Sequence, residues 1–101
     1  MQATNYSFYS LAVECYLLAA SCYYKMEQYD SVIHYCDAVL DTSSLPNVTA
    51  LKVKMLAHRK IGQNEQALIC ARQVLDQEFS DRLALETQKE MEDSFQRIKE
   101  N

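Results

Sequence analysis

Apolar residues recur at steps of three and four along most of the chain. The first run is Leu11, Cys15, Leu18, Ala19, Cys22, Tyr23 and Met26, which is the period of an α-helix. Val13, Tyr16, Leu17 and Ala20 fill other sides of the same segment, and a helix apolar most of the way round is usually packed on two sides. Thr4 or Ser7 is placed to cap it. A second stripe, Val32, Ile33, Cys36, Val39 and Leu40, opens near Tyr29 with Asp30 or Ser31 as cap. Leu45-Pro46 ends it, because the residue before proline is pushed out of the helical region. A third run carries Leu51, Val53, Met55, Leu56, Ala57 and Ile61 and closes at Gly62, a residue suited to the left-handed position past a helix end. A fourth opens at Asn64, with Glu65 where the helix dipole favours a carboxylate, and carries Ala67, Leu68, Ala71, Val74 and Leu75. Ser80 or Asp81 caps a fifth, with Leu83, Ala84, Met91, Phe95 and Ile98 on one edge and a wide polar face opposite. The pattern predicts helices over 5–26, 29–42, 47–61, 64–77 and 81–100.

Part of this pattern occurs twice. Tyr23 to Asp41 and His58 to Asp76 align at an offset of 35 residues, with Val32 on Ala67 and Leu40 on Leu75. Each copy reads as the end of one helix, a tight turn at Glu27-Gln28 or Gly62-Gln63, and a second helix. The expected fold is all-α: two antiparallel helical hairpins and a C-terminal capping helix, in a single domain. The first hairpin covers 12–46, the second 47–80 and the cap 81–100. One Gly and one Pro in 101 residues suit long helices and few tight turns. One hairpin cannot bury its own stripe, and about three repeats are usual for stability. Two repeats and a cap therefore read as a piece of a longer protein or as a self-associating chain.

Composition removes several functions. The net charge is −4, whereas a nucleic-acid binder needs a clearly basic face. Cys15, Cys22, Cys36 and Cys70 fit no zinc spacing and contain no CxxC pair. They read as small, buried, reduced thiols in apolar helices, with no metal or other cofactor implied. No Lys or Arg precedes Lys25, so a signal peptide is not expected, and a cytosolic or nuclear setting is. Asn47-Val48-Thr49 matches a glycosylation acceptor, but without a secretion signal Asn47 reads as a helix N-cap. The acid-rich fifth helix does not suit a membrane surface. His34 and His58 are the only histidines, and His34 and Cys36 do not face each other on a helix. His58 reads as a core or edge residue, and Glu65, Glu86, Glu90 and Asp93 as surface carboxylates. No phosphate loop or nucleophile elbow occurs, so no enzyme is expected.

On these residues the chain resembles the tetratricopeptide repeat family. Tyr16, Ala20 and Tyr23 match the first-helix positions, and Val32 and Cys36 the second-helix positions, with Pro46 two residues late. In the second copy Leu51, Met55, His58, Ala67 and Ala71 take the same places, with Gly62 and Val74-Leu75. Ala19-Ala20-Ser21-Cys22-Tyr23 and Tyr35-Cys36-Asp37-Ala38 are loosely similar to the repeats of immunophilin-type co-chaperones. The resemblance implies a concave groove lined by the first helices of successive hairpins. Carried over by position, the groove residues are Leu17, Ser21, Tyr24 and Lys25, then Thr49, Lys52, Leu56, Arg59 and Lys60. Lys25, Lys52, Arg59 and Lys60 form a local positive excess, which favours an acidic or C-terminal carboxylate peptide. Where co-chaperone repeats clamp a chaperone tail with Asn, Lys and Arg, this chain has Leu18, Thr49 and Val53, which points to another ligand. The alternative is an oligomerisation module, a homodimer whose self-interface joins Tyr6, Phe8 and Tyr9 to the Met91, Phe95 and Ile98 edge.

Overall fold

The computed structural model describes the backbone of residues 2–42 and 46–100 and the side chains of 10–42 and 46–97. It contains α1 (Gln2–Lys25), α2 (Tyr29–Thr42), α3 (Val48–Lys60), α4 (Asn64–Gln77) and α5 (Arg82–Glu100). The last four begin and end within one residue of the expected spans. α1 starts earlier than expected, so Thr4 and Ser7 lie inside it rather than capping it. At 1.5 Å per residue α1 is about 36 Å long and α2 about 21 Å, so α1 outruns its hairpin partner.

Each helix packs on the next in chain order, and α1 also touches α3. The result is elongated, 59 × 29 × 19 Å, with a radius of gyration of 15.1 Å. A compact domain of this length has a radius near 13 Å. The shape is that of a one-dimensional stack in which each hairpin leans on its neighbour.

The duplicated turns close in the same way. After α1, the Gln28 amide donates to the Tyr23 carbonyl and the Glu27 amide to the Tyr24 carbonyl, both at 3.0 Å. After α3, Gln63 donates to His58 at 2.9 Å and Gly62 to Arg59 at 3.2 Å. These two crossed bonds define a Schellman end, whose turning residue is left-handed. That residue is Glu27 at φ 60° in one copy and Gly62 at φ 76° in the other. Only glycine takes this conformation without the usual penalty of about 1–2 kcal/mol. A Cβ at Gly62 would have no atom within 4 Å. Gly62→Ala therefore exposes backbone strain alone, and should lower stability by about 1 kcal/mol in urea titration.

Two caps follow the sequence reading. The Asn47 side chain accepts the Ala50 amide at 2.9 Å and starts α3. The Asp81 side chain accepts the Ala84 amide at 2.9 Å and starts α5.

The core runs through the stack in linked clusters. Ala20, Val32, Cys36, Val39, Ala50 and Ala57 are fully buried where α1, α2 and α3 meet. Tyr23 stacks on Tyr35 with ring centroids 5.5 Å apart, and Tyr24 meets Tyr29 edge-on at 5.4 Å. Leu51, Met55, Cys70, Ala71, Val74 and Ala84 join α3, α4 and α5. Ala67, Leu68 and Met91, with Phe95 against them, close the far end. The cysteine expectation fails for half its members: Cys36 and Cys70 are buried, while Cys15 and Cys22 are exposed on α1.

Candidate functional site

Alternate helices share one side of the stack. Tyr24 from α1, Leu56, Arg59 and Lys60 from α3, and Glu90 and Met91 from α5 line an open cavity of about 450 Å³, with Asn64 at the start of α4 on its rim. Each hairpin contributes its first helix, and the cap takes the place of a third. Four of the nine predicted groove residues meet here: Tyr24, Leu56, Arg59 and Lys60. Ser21, Lys25 and Thr49 are exposed and do not line the cavity, while Leu17 is half-buried against the α1–α2–α3 core.

Two of the four residues of the predicted positive excess, Lys52 and Arg59, are neutralised within the chain. Lys52 Nζ lies 2.6 Å from Asp81 and 3.2 Å from Glu78. Lys54 pairs with Asp37 of α2 at 2.7 Å. Arg59 reaches Glu90 at 2.5 Å and donates to the buried Thr87 hydroxyl at 3.0 Å. For Lys52 and Arg59 the cause is the path of α5, whose capping loop and third turn bring acids alongside α3. The sequence reading had set Glu90 aside as a surface carboxylate and missed Thr87 altogether. Thr87 was legible only as one turn beyond Leu83 and Ala84 on the same edge. Lys25 and Lys60 are exposed, and neither forms an ion pair among the described residues.

Asp81 therefore has two tasks, capping α5 and holding Lys52. The Lys52 ammonium, and after it the Ala84 amide, hold its carboxyl below the usual carboxylate range. Native Asp81 thus gives up its proton more readily than unfolded Asp81. Its stabilisation is complete above the unfolded pKa of about 3.9 and is lost as pH falls through the lower folded value. Asp81→Asn keeps a capping oxygen but removes this linkage. Melting temperatures recorded from about pH 5 down to pH 2 should fall less steeply for the variant than for the parent.

His58 occupies the place of a packing aromatic and is buried. Its Nδ1 lies 2.6 Å from Gln63 Oε1. The amide oxygen can only accept, so the ring proton sits on Nδ1. The contact ties the end of α3 to the start of α4.

Of the predicted self-interface, only the side chains of Met91 and Phe95 are among the described residues. Met91 is buried against Ala67 and Leu68, with Phe95 packed on the same cluster. Both are used inside the chain, because α5 turns its apolar edge onto α4. The side chains of Tyr6, Phe8, Tyr9 and Ile98 lie outside the described residues. No described helix is long and apolar enough to cross a membrane.

The arrangement is the tetratricopeptide-repeat fold: stacked antiparallel hairpins whose first helices share one face, closed by a further helix. Among solved structures the chain is similar to the C-terminal TPR-containing domain of a Plasmodium falciparum FK506-binding protein. The TM-score is 0.77 at 19% sequence identity, over 92% of this chain and 61% of that one. The chain thus spans about three fifths of the domain it matches. No protein-family model and no curated protein sequence matches it.

Proposed function

We propose that the chain is a non-catalytic protein-binding module that takes an acidic or C-terminal carboxylate peptide along the face shared by α1, α3 and α5. The observation that carries this reading is the cavity, in which Tyr24, Leu56 and Met91 supply apolar lining beside the exposed Lys60. An apolar pocket with a few directed polar groups is the usual form of a binding site. Lys25, next to Tyr24 at the end of α1, is exposed and lies outside the lining. Arg59 contributes by building the wall, since its charge is already matched by Glu90, while Lys52 is matched by Asp81 and lies outside the lining. The ligand's carboxylates thus meet Lys25 and Lys60, and an aliphatic or aromatic side chain fills the cavity. The likeness to a TPR-containing domain supports the binding role in general, and the particular ligand class rests on this charge arrangement.

A random peptide library with free C termini, panned against the parent and a Lys25→Glu/Lys60→Glu double variant, tests the reading. The parent should enrich acidic peptides and the variant should lose them. Both lysines are exposed, so the fold is untouched. Equal enrichment on both proteins, or none on the parent, would count against the groove.

A further inference from the structure

α1 has two apolar faces, and the described residues cover only one. The inner face, centred on the fully buried Ala20, packs on α2 and α3. Half a turn away run Leu11, Cys15, Leu18, Cys22 and Met26, spaced by three and four residues. Leu11 is 55% exposed, Leu18 66% and Met26 58%, and both cysteines are exposed. A contiguous apolar stripe of this kind marks an interaction surface.

The internal repeat shows what such a face accepts. Thirty-five residues on, Cys15, Leu18 and Cys22 correspond to Ala50, Val53 and Ala57 of α3. Those three belong to the core shared with α2. Small residues one turn either side of a larger one let a helix approach closely, and the cysteines reproduce that pattern on α1. The outer face of α1 is therefore shaped for a helix.

We infer that this helix is α1 of a second copy, packed antiparallel about a two-fold axis. The stripe is nearly the same read in either direction from a point between Leu18 and Ala19. Reversal places Leu11 against the partner's Met26, Cys15 against the partner's Cys22, and Leu18 beside its own counterpart. A two-fold interface requires such self-complementarity. Charge agrees with the direction. The exposed Glu14 near one end lies within reach of the partner's Lys25, whereas a parallel pair would set like charges side by side. One helix face buries less than the roughly 1,200 Å² of a stable standard interface, so the dimer is weak and concentration-dependent. The stripe shares no residue with the cavity lining, and only Lys25 borders both surfaces.

The two cysteines give a direct test on the full chain, with diamide as oxidant. Each disulfide forms as two thiols yield two protons and two electrons to the diamide, which becomes the hydrazine. Cys15→Ser leaves only Cys22 on the face, and Cys22→Ser leaves only Cys15. In the antiparallel pair like cysteines lie about 10 Å apart along the axis, beyond the Cα separation of roughly 7 Å that a disulfide tolerates. Each variant alone should stay monomeric on a non-reducing gel, and their mixture should give a covalent dimer linking Cys15 to Cys22. Leu18→Glu, at an exposed position, should weaken association in sedimentation equilibrium about tenfold or more, with the helical signal unchanged. A mixture that gives no dimer overturns the inference and leaves the face to a helix from elsewhere. Single variants that cross-link as readily as the mixture overturn the antiparallel arrangement.

Discussion

Met55→Ala lowers the stability of the chain by about 2–5 kcal/mol. Met55 is fully buried and is the largest side chain in that condition. It belongs to the cluster of Leu51, Cys70, Ala71, Val74 and Ala84 that joins three helices. Its truncation removes apolar atoms from a cluster in which α3, α4 and α5 all meet. The surrounding residues are mostly small, so little is available to collapse into the space. Domains of this size hold only about 5–15 kcal/mol in total, and a stack of two hairpins and a cap has few other contacts between its layers. The loss should appear as a large drop in the urea midpoint. Met55→Leu, which nearly conserves volume, should cost less than about 1.5 kcal/mol. Leu18→Ala, on the exposed face of α1, should stay within about 0.5 kcal/mol in dilute solution. If the Met55 and Leu18 truncations cost the same, the packing order described here is wrong.

The second large effect is chemical. At neutral to mildly alkaline pH, two of the four thiols should alkylate quickly and two should resist until the chain unfolds. Cys15 and Cys22 are exposed, and Cys36 and Cys70 are buried. Burial, with the Asp37 charge adding to it, pushes the Cys36 thiol from 9.0 up to about 12. Burial also raises the Cys70 thiol. Only the thiolate attacks, so a rise of three units cuts the reactive fraction of Cys36 by about a thousandfold, before shielding is counted. Iodoacetamide applied to dilute native chain, followed by peptide mass spectrometry, should find adducts first on Cys15 and Cys22. Full denaturation should expose all four. Rapid native labelling of Cys36 would place α2 wrongly against α1 and α3.

The cysteines also show what the sequence could and could not reveal. Periodicity located five helices because each stripe obeys its own local spacing, and the breakers at Pro46 and Gly62 marked ends that backbone sterics enforce. The doubled face of α1 was visible too, as apolar residues on all sides. Which of those sides the chain itself covers was not visible, because that depends on where the second hairpin stacks. Cys15 and Cys22 were thus read as buried when they lie on the uncovered side. The same limit governed the charges. Lys52 and Arg59 sit on the helix and near the face expected of groove residues, yet the return of α5 supplies Asp81, Glu78 and Glu90 to neutralise them. Those partners lie 26 to 31 residues away in sequence, with no local signal to link them. Tyr24, Leu56, Arg59 and Lys60, by contrast, are legible through the family resemblance, which implies that the first helices of successive hairpins share a face.

The central claim is that ligands bind where α1, α3 and α5 meet. Amide chemical-shift mapping with a peptide selected on the parent chain tests it most directly. The account predicts saturable shifts at Tyr24, Leu56, Lys60 and Met91, with the largest change beside the cavity. Shifts confined to the opposite side, around the exposed Ile69 of α4, would contradict it.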